Sequence, residues 1–456
     1  MESKSPLCRG PVSRREFLQV GTLALGGICL SDVLAARAAQ GESHRDTCVI
    51  MLYQHGGASQ LETYDLKPQA PIEFRSIYKP IATNVPGMEI CEKFPLQAKI
   101  ADKFSLIRSL HHDVGIHSDG GIVVLTGKRP TVLDPTSQSK SEHPDFGMIA
   151  GKLRGIGRGG LPNYIGLPRT PYMTTPGYLG VEYAGYQIND PGKEDYAPPS
   201  LKISADRTPD QVVDRRKLLA QFDRFQREWD NRQNMERVDK FREIAFEMMT
   251  NPATREAFDI AQEPAELRER YGKNTWGQSC LMARRLAEAG TAVVNIYFDT
   301  PRTGDEYTNW DDHIMNAGRP GHFGKYMDVR LPYMDQALST LIEDIHERGL
   351  NKKILVVVVG EFGRTPRLSK NKNGVGRDHW PQAYSALVSG GDFKMGQVIG
   401  ATNSKAEYPA ARPYTPQDFL ATIYRHLGID SYQSFNDHSG RPIPILPHGE
   451  PIAELI

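Results

Sequence analysis

One apolar stretch limits the folds that this chain can adopt. Residues 354–366 read ILVVVVGEFGRTP, an unbroken aliphatic run followed by glycine, a carboxylate and a guanidinium. A strand with one face in water would alternate apolar and polar residues, so this run predicts a strand that is covered on both faces. The polar residues Glu361 and Arg364 follow where that strand ends.

Segments typical of strands and of helices alternate along the rest of the chain. Apolar runs within 48–53, 104–108, 291–301 and 383–391 predict further strands, and residues 333–353 have the period of an amphipathic helix. A second helix is predicted where Thr415 caps a proline at the first helical position. This alternation predicts an α/β fold, with a mainly parallel sheet and helices on both faces.

Residues 1–39 have the layout of a twin-arginine signal peptide. Arg14 and Arg15 precede a weakly apolar stretch, and small residues then predict cleavage near Ala38 or the alanine after it. A membrane anchor is disfavoured because the stretch is short and rich in glycine, and Asp32 interrupts its end. We therefore expect export by the twin-arginine machinery to the periplasm or the extracellular space, without a stable membrane anchor.

Charge and cysteine content exclude several kinds of partner and site. Lysine plus arginine number 55, and aspartate plus glutamate number 55. A chain without net charge gives no electrostatic reason to expect nucleic acid as a partner. After cleavage the chain keeps Cys48, Cys91 and Cys280, whose odd number and spacing argue against a disulfide framework and against a thiolate zinc site. Any metal must therefore be held by oxygen and imidazole.

Residues 40–456 show no internal repeat and no linker that would divide them, so they predict a single domain. The stretch at about 148–200 is rich in glycine, proline and tyrosine and lacks a sustained period, which predicts an irregular insertion that serves as a functional surface. The stretch at about 209–290 has a helical period, which predicts a helical insertion with its apolar residues in the core.

Carboxylates and imidazoles gather after the predicted strands. Ligands of open α/β sheets bind beyond the carboxyl ends of the strands, so these side chains are expected to meet at one edge of the sheet. Mixed oxygen and nitrogen donors suit zinc, manganese, magnesium or calcium, and such an ion would neutralise an anionic substrate. The predicted metal ligands are His55, Asp311, His313, Glu361, Asp378 and His379.

Structural roles remain open for several of these residues. His313 or His379 alone could be an ordinary hydrogen-bonded histidine. The stretch 311–313 could cap the following helix, and Glu361 could simply pair with Arg364.

Two further positions near the second strand have alternatives. His111 and His112 are adjacent on an extended chain and point opposite ways, so at most one is expected to face the site. Ser118 opens a predicted helix, where backbone N–H groups favour an anion, or it is a plain N-cap serine.

At these residues the sequence resembles a known family. The segments QHGGASQLETYDLKP, GIHSDGGIVVLTGKRP, NWDDH and GEFGRTPRLSKNKNGVGRDHWPQAYSALVSGG are similar to the bacterial exported family called domain of unknown function 1501, over nearly all of the mature chain. The resemblance implies a relation to the alkaline phosphatase and sulfatase superfamily and a fold like theirs. It also implies that Glu361 stands for a metal-binding aspartate, and that His117 falls at the nucleophile's place with Ser118 one step beyond.

The sequence departs from that superfamily at three places. Phe362 replaces a histidine, so one metal ligand is lost there. Gln54 and His55 stand where sulfatases carry paired aspartates. No Cys-x-Pro-x-Arg occurs, so the formylglycine that sulfatases make from cysteine cannot arise at this site.

The residues and the resemblance together predict an exported, metal-dependent hydrolase of phosphate or sulfate esters, for example of a phosphorylated or sulfated saccharide. Ser118 or a water is expected to attack, with His117 at the nucleophile's place and Arg364 stabilising charge on the non-bridging oxygens. The polar loop 367–376 is expected to close over the site.

The alternative is a catalytically inactive relative that acts as an exported polysaccharide- or protein-binding module. It would use the same pocket, together with the tyrosine-rich segment Tyr164–Tyr196. A dinucleotide-dependent oxidoreductase is disfavoured because the glycines at 55–60 read HGGASQ, without Gly-x-Gly-x-x-Gly.

Overall fold

Residues Ile354–Val359 form a strand whose side chains are all buried, as the aliphatic run predicts. This strand lies inside an eight-stranded sheet in the part of the chain that the computed structural model describes. The described residues are 46–155, 157, 160–196, 251–301, 309–316, 319–320 and 322–456. The predicted signal peptide and residues 209–250 of the predicted helical insertion lie outside them. Residues Thr47–Ile456 form one compact unit.

The sheet is mainly parallel, which confirms the prediction. In chain order its strands are β1 (Cys48–Tyr53), β2 (Ser105–Leu110), β3 (Tyr164–Leu167), β4 (Tyr186–Gln187), β5 (Val293–Tyr297), β6 (Ile354–Val359), β7 (Tyr384–Gly390) and β8 (Val398–Ile399). Their spatial order is β8-β2-β7-β6-β1-β5-β3-β4, and β7 runs antiparallel to both of its neighbours. The other pairings in this sheet are parallel.

Helices cover both faces of the sheet, so an α/β fold is confirmed. The described helices are α1 (Pro95–Ala98), α2 (His117–Thr126), α3 (Phe146–Arg154), α4 (Pro252–Phe258), α5 (Ala265–Tyr271), α6 (Thr275–Ala289), α7 (His322–Glu347) and α8 (Pro416–Leu427). Alternate residues of the central strands enter two separate cores: Ile50 of β1 lies in one and Val49 in the other. The first core is closed mainly by α6 and α7, and the second by α2, α3 and α8.

The described part of the segment 148–200 contains some regular elements. It includes the last part of α3, and β3 and β4 lie at one edge of the main sheet. Strands of four and two residues are too short to produce a detectable period, so the sequence does not reveal them. The role of this segment as a functional surface stays a prediction.

Short antiparallel pairs of strands occur in addition to the eight-stranded sheet. Gly363–Arg364 pairs with His379–Trp380, which brings the two ends of the GEFGRTP…GRDHW region together. The polar loop 367–376 forms a hairpin within this region, and its predicted closure over the site stays a prediction. The strands of that hairpin are Ser369–Asn371 and Gly374–Gly376.

Four further two-stranded pairs occur in the described ranges. They join Pro80–Ala82 with Glu89–Cys91, Met315–Asn316 with Arg319–Pro320, Ala401–Thr402 with Pro409–Ala411, and Ser434–Asn436 with Pro442–Pro444.

The described structure also records the state of the cysteines and the length of the helices. Cys48, Cys91 and Cys280 are buried and free. Within the described ranges, we find no helix with both the length and the apolar content needed to cross a bilayer.

Helix α8 tests the capping prediction directly. Thr415 is its N-cap: the hydroxyl accepts from the Asp418 backbone N–H, and the Asp418 carboxylate accepts from the Thr415 backbone N–H. We expect Thr415→Ala to lower the free energy of unfolding by about 1 kcal/mol, because it removes one side of this reciprocal cap. Urea denaturation measures the loss. Thr415→Ser keeps the hydroxyl and is the matched control; equal losses in both variants would contradict the assignment.

Candidate functional site

Strand direction explains why distant residues meet at one edge of the sheet. The parallel strands β1, β2 and β6 end at the same edge, which places His55, His117 and Glu361 there. His379 comes before a strand, not after one. It reaches the same edge because β7 is antiparallel, so the start of β7 lies where its neighbours end.

A single carboxylate oxygen lies at the centre of the site. Asp311 Oδ1 is 3.3 Å from His117 Nε2, 3.0 Å from His313 Nε2 and 3.3 Å from His379 Nε2. The donor atoms of His117, Asp311 and His379 all lie within 4.8 Å of one another, close enough to hold one cation. We call the following set the histidine–carboxylate cluster: His55, His117, Asp311, His313, Glu361, Asp378 and His379.

The outer hydrogen bonds of two histidines determine which ring nitrogen faces Asp311. His379 Nδ1 donates to the Gly115 carbonyl at 2.8 Å, and His313 Nδ1 donates to the Asp378 carboxylate at 2.9 Å. In the neutral rings the Nε2 atoms therefore carry lone pairs, and these atoms lie 3.1 Å apart. Two lone pairs and a carboxylate oxygen that converge in this way repel one another unless a cation or protons lie between them. The arrangement fits a divalent metal ion.

Glu361 forms the second carboxylate of the cluster and is fully buried. Its Oε1 accepts from the Gly56 backbone N–H and from His117 Nδ1, both at 2.7 Å, and lies 3.5 Å from His55 Nδ1. Its Oε2 and His55 Nδ1 are buried without a hydrogen-bond partner among the described residues. Buried polar atoms without partners are costly, so these two are available to a ligand such as a metal ion.

Burial and charged neighbours shift the pKa values of His117, Glu361 and Asp311 in opposite directions. Burial would lower the pKa of His117, but hydrogen bonds to Asp311 and Glu361 outweigh it and raise that pKa to about 9. Burial would raise the pKa of Glu361, but His55 and His117 lower it to about 2. Burial would also raise the pKa of Asp311, but Arg364 and the three imidazoles hold it far below its usual range. Burial lowers the pKa of His379. Without a metal, His117 is thus an imidazolium between two carboxylates.

The structure argues against Arg364 as the group that stabilises the substrate's charge. Arg364 is fully buried, and its guanidinium donates to the Gly57 and Arg377 carbonyls at 2.9 and 3.2 Å and to Asp311 Oδ1 at 2.6 Å. It also donates to the carbonyls of Gly56 and Trp310. The guanidinium N–H groups of Arg364 therefore donate to acceptors inside the protein, and this side chain holds Asp311 in position. A sequence shows that an arginine follows a strand, but not how deep it lies.

The structure also argues against Ser118 as the nucleophile. The side chain is fully buried, and its hydroxyl donates to the Asp119 carboxylate at 2.8 Å. Its backbone N–H, at the start of α2, donates to the Ser137 hydroxyl at 3.1 Å. The Ser118 hydroxyl and N–H are thus both bonded within the protein, whereas its neighbour His117 faces the cluster.

The structure also shows the contacts of Asp312, Glu361 and Asp378, for which the sequence left structural roles open or predicted a metal ligand. Asp312 is fully buried and pairs with Arg330. Glu361 does not pair with Arg364, whose acidic partner is Asp311. Asp378 is the most exposed member of the cluster, with 65% of its side chain accessible, and contacts His313 only from outside.

Two residues that join the site from outside the predicted ligand set are His112 and Asp299. His112 Nε2 donates to the Glu361 carbonyl at 2.6 Å, whereas His111 lacks such a contact to the cluster in the described structure, as expected for adjacent residues on an extended chain. Asp299 follows β5 at the same edge and contributes to the charge around His55. The strand-end rule that identified His55 applies equally to Asp299 and is the signal that would have found it.

Comparisons with known proteins give distant structural likenesses. The chain is similar to the PsFucS1 sulfatase from Pseudoalteromonas sp. (12% identity, TM-score 0.34, covering 86% of this chain and 72% of that chain). It is similar to the phosphonate monoester hydrolase SpPMH from Silicibacter pomeroyi (11% identity, TM-score 0.33, covering 86% of this chain and 75% of that chain). It is also similar to the C-terminal periplasmic domain of EcEptC from Escherichia coli in complex with Zn (12% identity, TM-score 0.33, covering 88% of this chain and 94% of that chain). Likenesses this distant assign no activity.

The sequence comparisons give one family and no individual relative. The search of curated proteins returned no match. The family model described as protein of unknown function (DUF1501) matches residues 46–456, which include every member of the histidine–carboxylate cluster. The chain therefore belongs to the DUF1501 family, as its sequence motifs predict.

Proposed function

We propose that this protein is an exported, metal-dependent hydrolase of phosphate or sulfate esters. The observation that carries the proposal is the convergence of His117, Asp311 and His379 on one point, with donor atoms within 4.8 Å of one another. The outer hydrogen bonds of His313 and His379 aim their remaining nitrogens at that point, as is usual for metal ligands. A purely structural ion pair does not need these hydrogen bonds from the outer ring nitrogens.

The residues that would hold the ion are Asp311, His313, His379 and His117, with Glu361 and His55 beside them. A bound divalent cation supplies Lewis acidity toward the phosphoryl or sulfuryl oxygens. Without it, the carboxylates of Asp311 and Glu361 would repel an anionic ester, so the site favours such a substrate only when a cation is bound.

The chain's own groups orient the site and control its protons. Arg364 and the Gly56 N–H hold the two carboxylates in place, and both ring nitrogens of His117 face carboxylate oxygens. With Ser118 buried, a water is the better candidate for the attacking group. His55 is flanked by the rings of Tyr172 and Tyr297, with ring centroids 5.5 and 5.1 Å away, which limits access of bulk water to that side.

One observation favours the alternative of a binding module that has lost turnover. Phe362, which stands where the resemblance places a histidine, is buried with its ring centroid 5.2 Å from that of His117 and 4.4 Å from that of His379. An apolar ring at this position removes a donor from the site and reduces the number of ligands available to a second ion.

Metal analysis and an ester assay separate the two functions. We expect the purified mature protein to contain a stoichiometric divalent metal and to hydrolyse p-nitrophenyl phosphate or p-nitrophenyl sulfate, with turnover lost on chelation and restored by metal. Stoichiometric metal without turnover on a wide ester panel would favour the binding module. A protein that takes up no divalent metal would contradict the cation site itself.

Glu361→Gln tests the second carboxylate. The amide keeps the size of the side chain and an acceptor for the Gly56 N–H but removes the charge that faces His117 and His55. We expect metal affinity to fall by about 10- to 100-fold, with turnover falling in parallel. Titration calorimetry measures the affinity. The exposed Glu142→Gln is the control, and equal affinities in both variants would show that Glu361 has no part in holding the ion.

A further inference from the structure

A cavity of about 560 Å³ has Tyr297 and Asp299, at the end of β5, and Arg169, which follows β3, in its wall. The Tyr297 ring centroid lies 5.1 Å from that of His55, and Asp299 contributes to the charge around His55. Two residues of the wall are thus neighbours of His55, so the cavity lies on the His55 side of the histidine–carboxylate cluster. The volume lies within the range of cavities that enclose small ligands.

Among the described residues, the wall of the cavity is polar and close to balanced in charge. Arg169 Nη2 donates to Asp299 Oδ2 at 3.1 Å, and its guanidinium lies 4.3 Å from the centroid of the Tyr297 ring. The Asp299 Oδ1 atom is buried without a donor in the described ranges. The described charged residues of the lining are the cations Arg169 and Lys193 and the carboxylates Asp190, Asp195 and Asp299.

This lining discriminates between kinds of ligand. Carboxylates on the wall would repel a second anionic group on the substrate. An alkyl chain would leave the charged and amide groups of the wall desolvated and without partners. A ligand rich in hydroxyl groups can donate to the carboxylates and accept from the guanidinium, the ammonium and the amide of Asn189.

We propose that this cavity binds the alcohol part of the ester, that this part is uncharged and rich in hydroxyl groups, and that Arg169 and Asn189 help to select it. The inference rests on the proposed function for the position of the ester group. Binding of an uncharged hydroxylated ligand in the cavity, however, requires neither the metal nor turnover, so it is tested separately from hydrolysis.

The test measures binding of neutral sugars to chelator-treated protein by saturation-transfer NMR and titration calorimetry. The probes are glucose, galactose, mannose, N-acetylglucosamine, lactose, maltose and cellobiose. Lactobionate is the charged counterpart of lactose. We expect at least one neutral sugar to bind, and lactobionate to bind more weakly than lactose. Arg169→Met is expected to weaken binding by about 10-fold or more, the cost of one hydrogen bond to a charged group.

Two further variants keep the test decisive. Asn189→Ala changes an exposed residue of the same cavity and is expected to weaken binding without altering Asp299. Arg367→Met is the matched control, because Arg367 is an exposed arginine on a separate cavity lined by Phe74 and Trp380. The inference is overturned if none of the neutral sugars binds, if lactobionate binds more tightly than lactose, or if the cavity variants bind as tightly as the control. Loss of aryl ester hydrolysis alone would contradict only the proposed function.

Discussion

Asp311→Asn is expected to abolish stoichiometric metal binding and, with it, turnover of aryl phosphates and sulfates. Asp311 Oδ1 is the shared neighbour of His117, His313 and His379, and the substitution removes the only negative charge at their meeting point among the described contacts. Loss of an outer-shell partner costs about 10- to 100-fold in metal affinity, so loss of a central ligand is expected to cost more than about 100-fold. Titration calorimetry with zinc, manganese and calcium measures the affinity.

The control for this prediction is Asp378→Asn. Asp378 contacts only the outer nitrogen of His313 and is largely exposed, so its loss is expected to cost no more than about 10-fold. Asp311→Asn also leaves the buried Arg364 with weaker acidic pairing, so circular dichroism must show that the variant is folded before its affinity is compared. A folded Asp311→Asn protein that binds metal as tightly as Asp378→Asn would remove the basis of the cation site.

Arg377→Met is expected to destabilise the protein by about 3–5 kcal/mol. Arg377 and Glu62 are both fully buried, and the guanidinium donates to both Glu62 carboxylate oxygens at 2.9 Å. Removing the arginine leaves a buried carboxylate without its counter-charge. Urea denaturation monitored by fluorescence measures the loss of stability.

The paired variant distinguishes charge from packing. Glu62→Leu combined with Arg377→Met replaces the ion pair by apolar side chains, and it is expected to recover most of the loss, since the cost comes from the unpaired charge. If the double variant is as unstable as Arg377→Met alone, the stabilisation comes from the bonds of Arg377 to the carbonyls of Thr365 and Arg75, at 3.0 and 2.9 Å.

This buried pair also connects stability with the site. Arg377 bonds to the backbone of Thr365 and lies two residues before His379, so it ties the start of the hairpin region to its end. Weakening it is expected to loosen His379 as well as the fold. Arg364 holds Asp311 in a similar way, because its guanidinium donates to Asp311 Oδ1. Buried guanidiniums thus position two members of the cluster in a region whose polar sequence resembles a surface loop.

The rule that ligands bind beyond the carboxyl ends of parallel strands predicted the edge of the sheet where His55 and Glu361 lie, because this rule depends only on strand direction. Glu361 follows a run of aliphatic residues, and parallel strands with buried faces end together, so His55 and Glu361 were expected to meet. His379 was also predicted correctly to lie near them, but the rule does not explain its position. It depends on β7 being antiparallel, which no local pattern in the AYSALVSGG segment reveals.

Roles were harder to predict than positions. Arg364 and Ser118 were expected to face a substrate, and both are fully buried with their donors used inside the protein. Burial depth depends on what packs above a residue, and those neighbours, such as Trp310 and Ser137, come from distant parts of the chain.

The amino-acid sequence alone determined the layered α/β architecture, the family and the set of carboxylates and imidazoles, because apolar periodicity and residue type are local properties. Only the tertiary structure decided that three imidazoles converge on one oxygen of Asp311, that a phenylalanine packs against two of them, and that Tyr297, in the wall of a polar cavity, packs near His55. These are relations between side chains that lie far apart in the chain, and their distances and tautomers follow from packing and hydrogen bonds that no single segment contains.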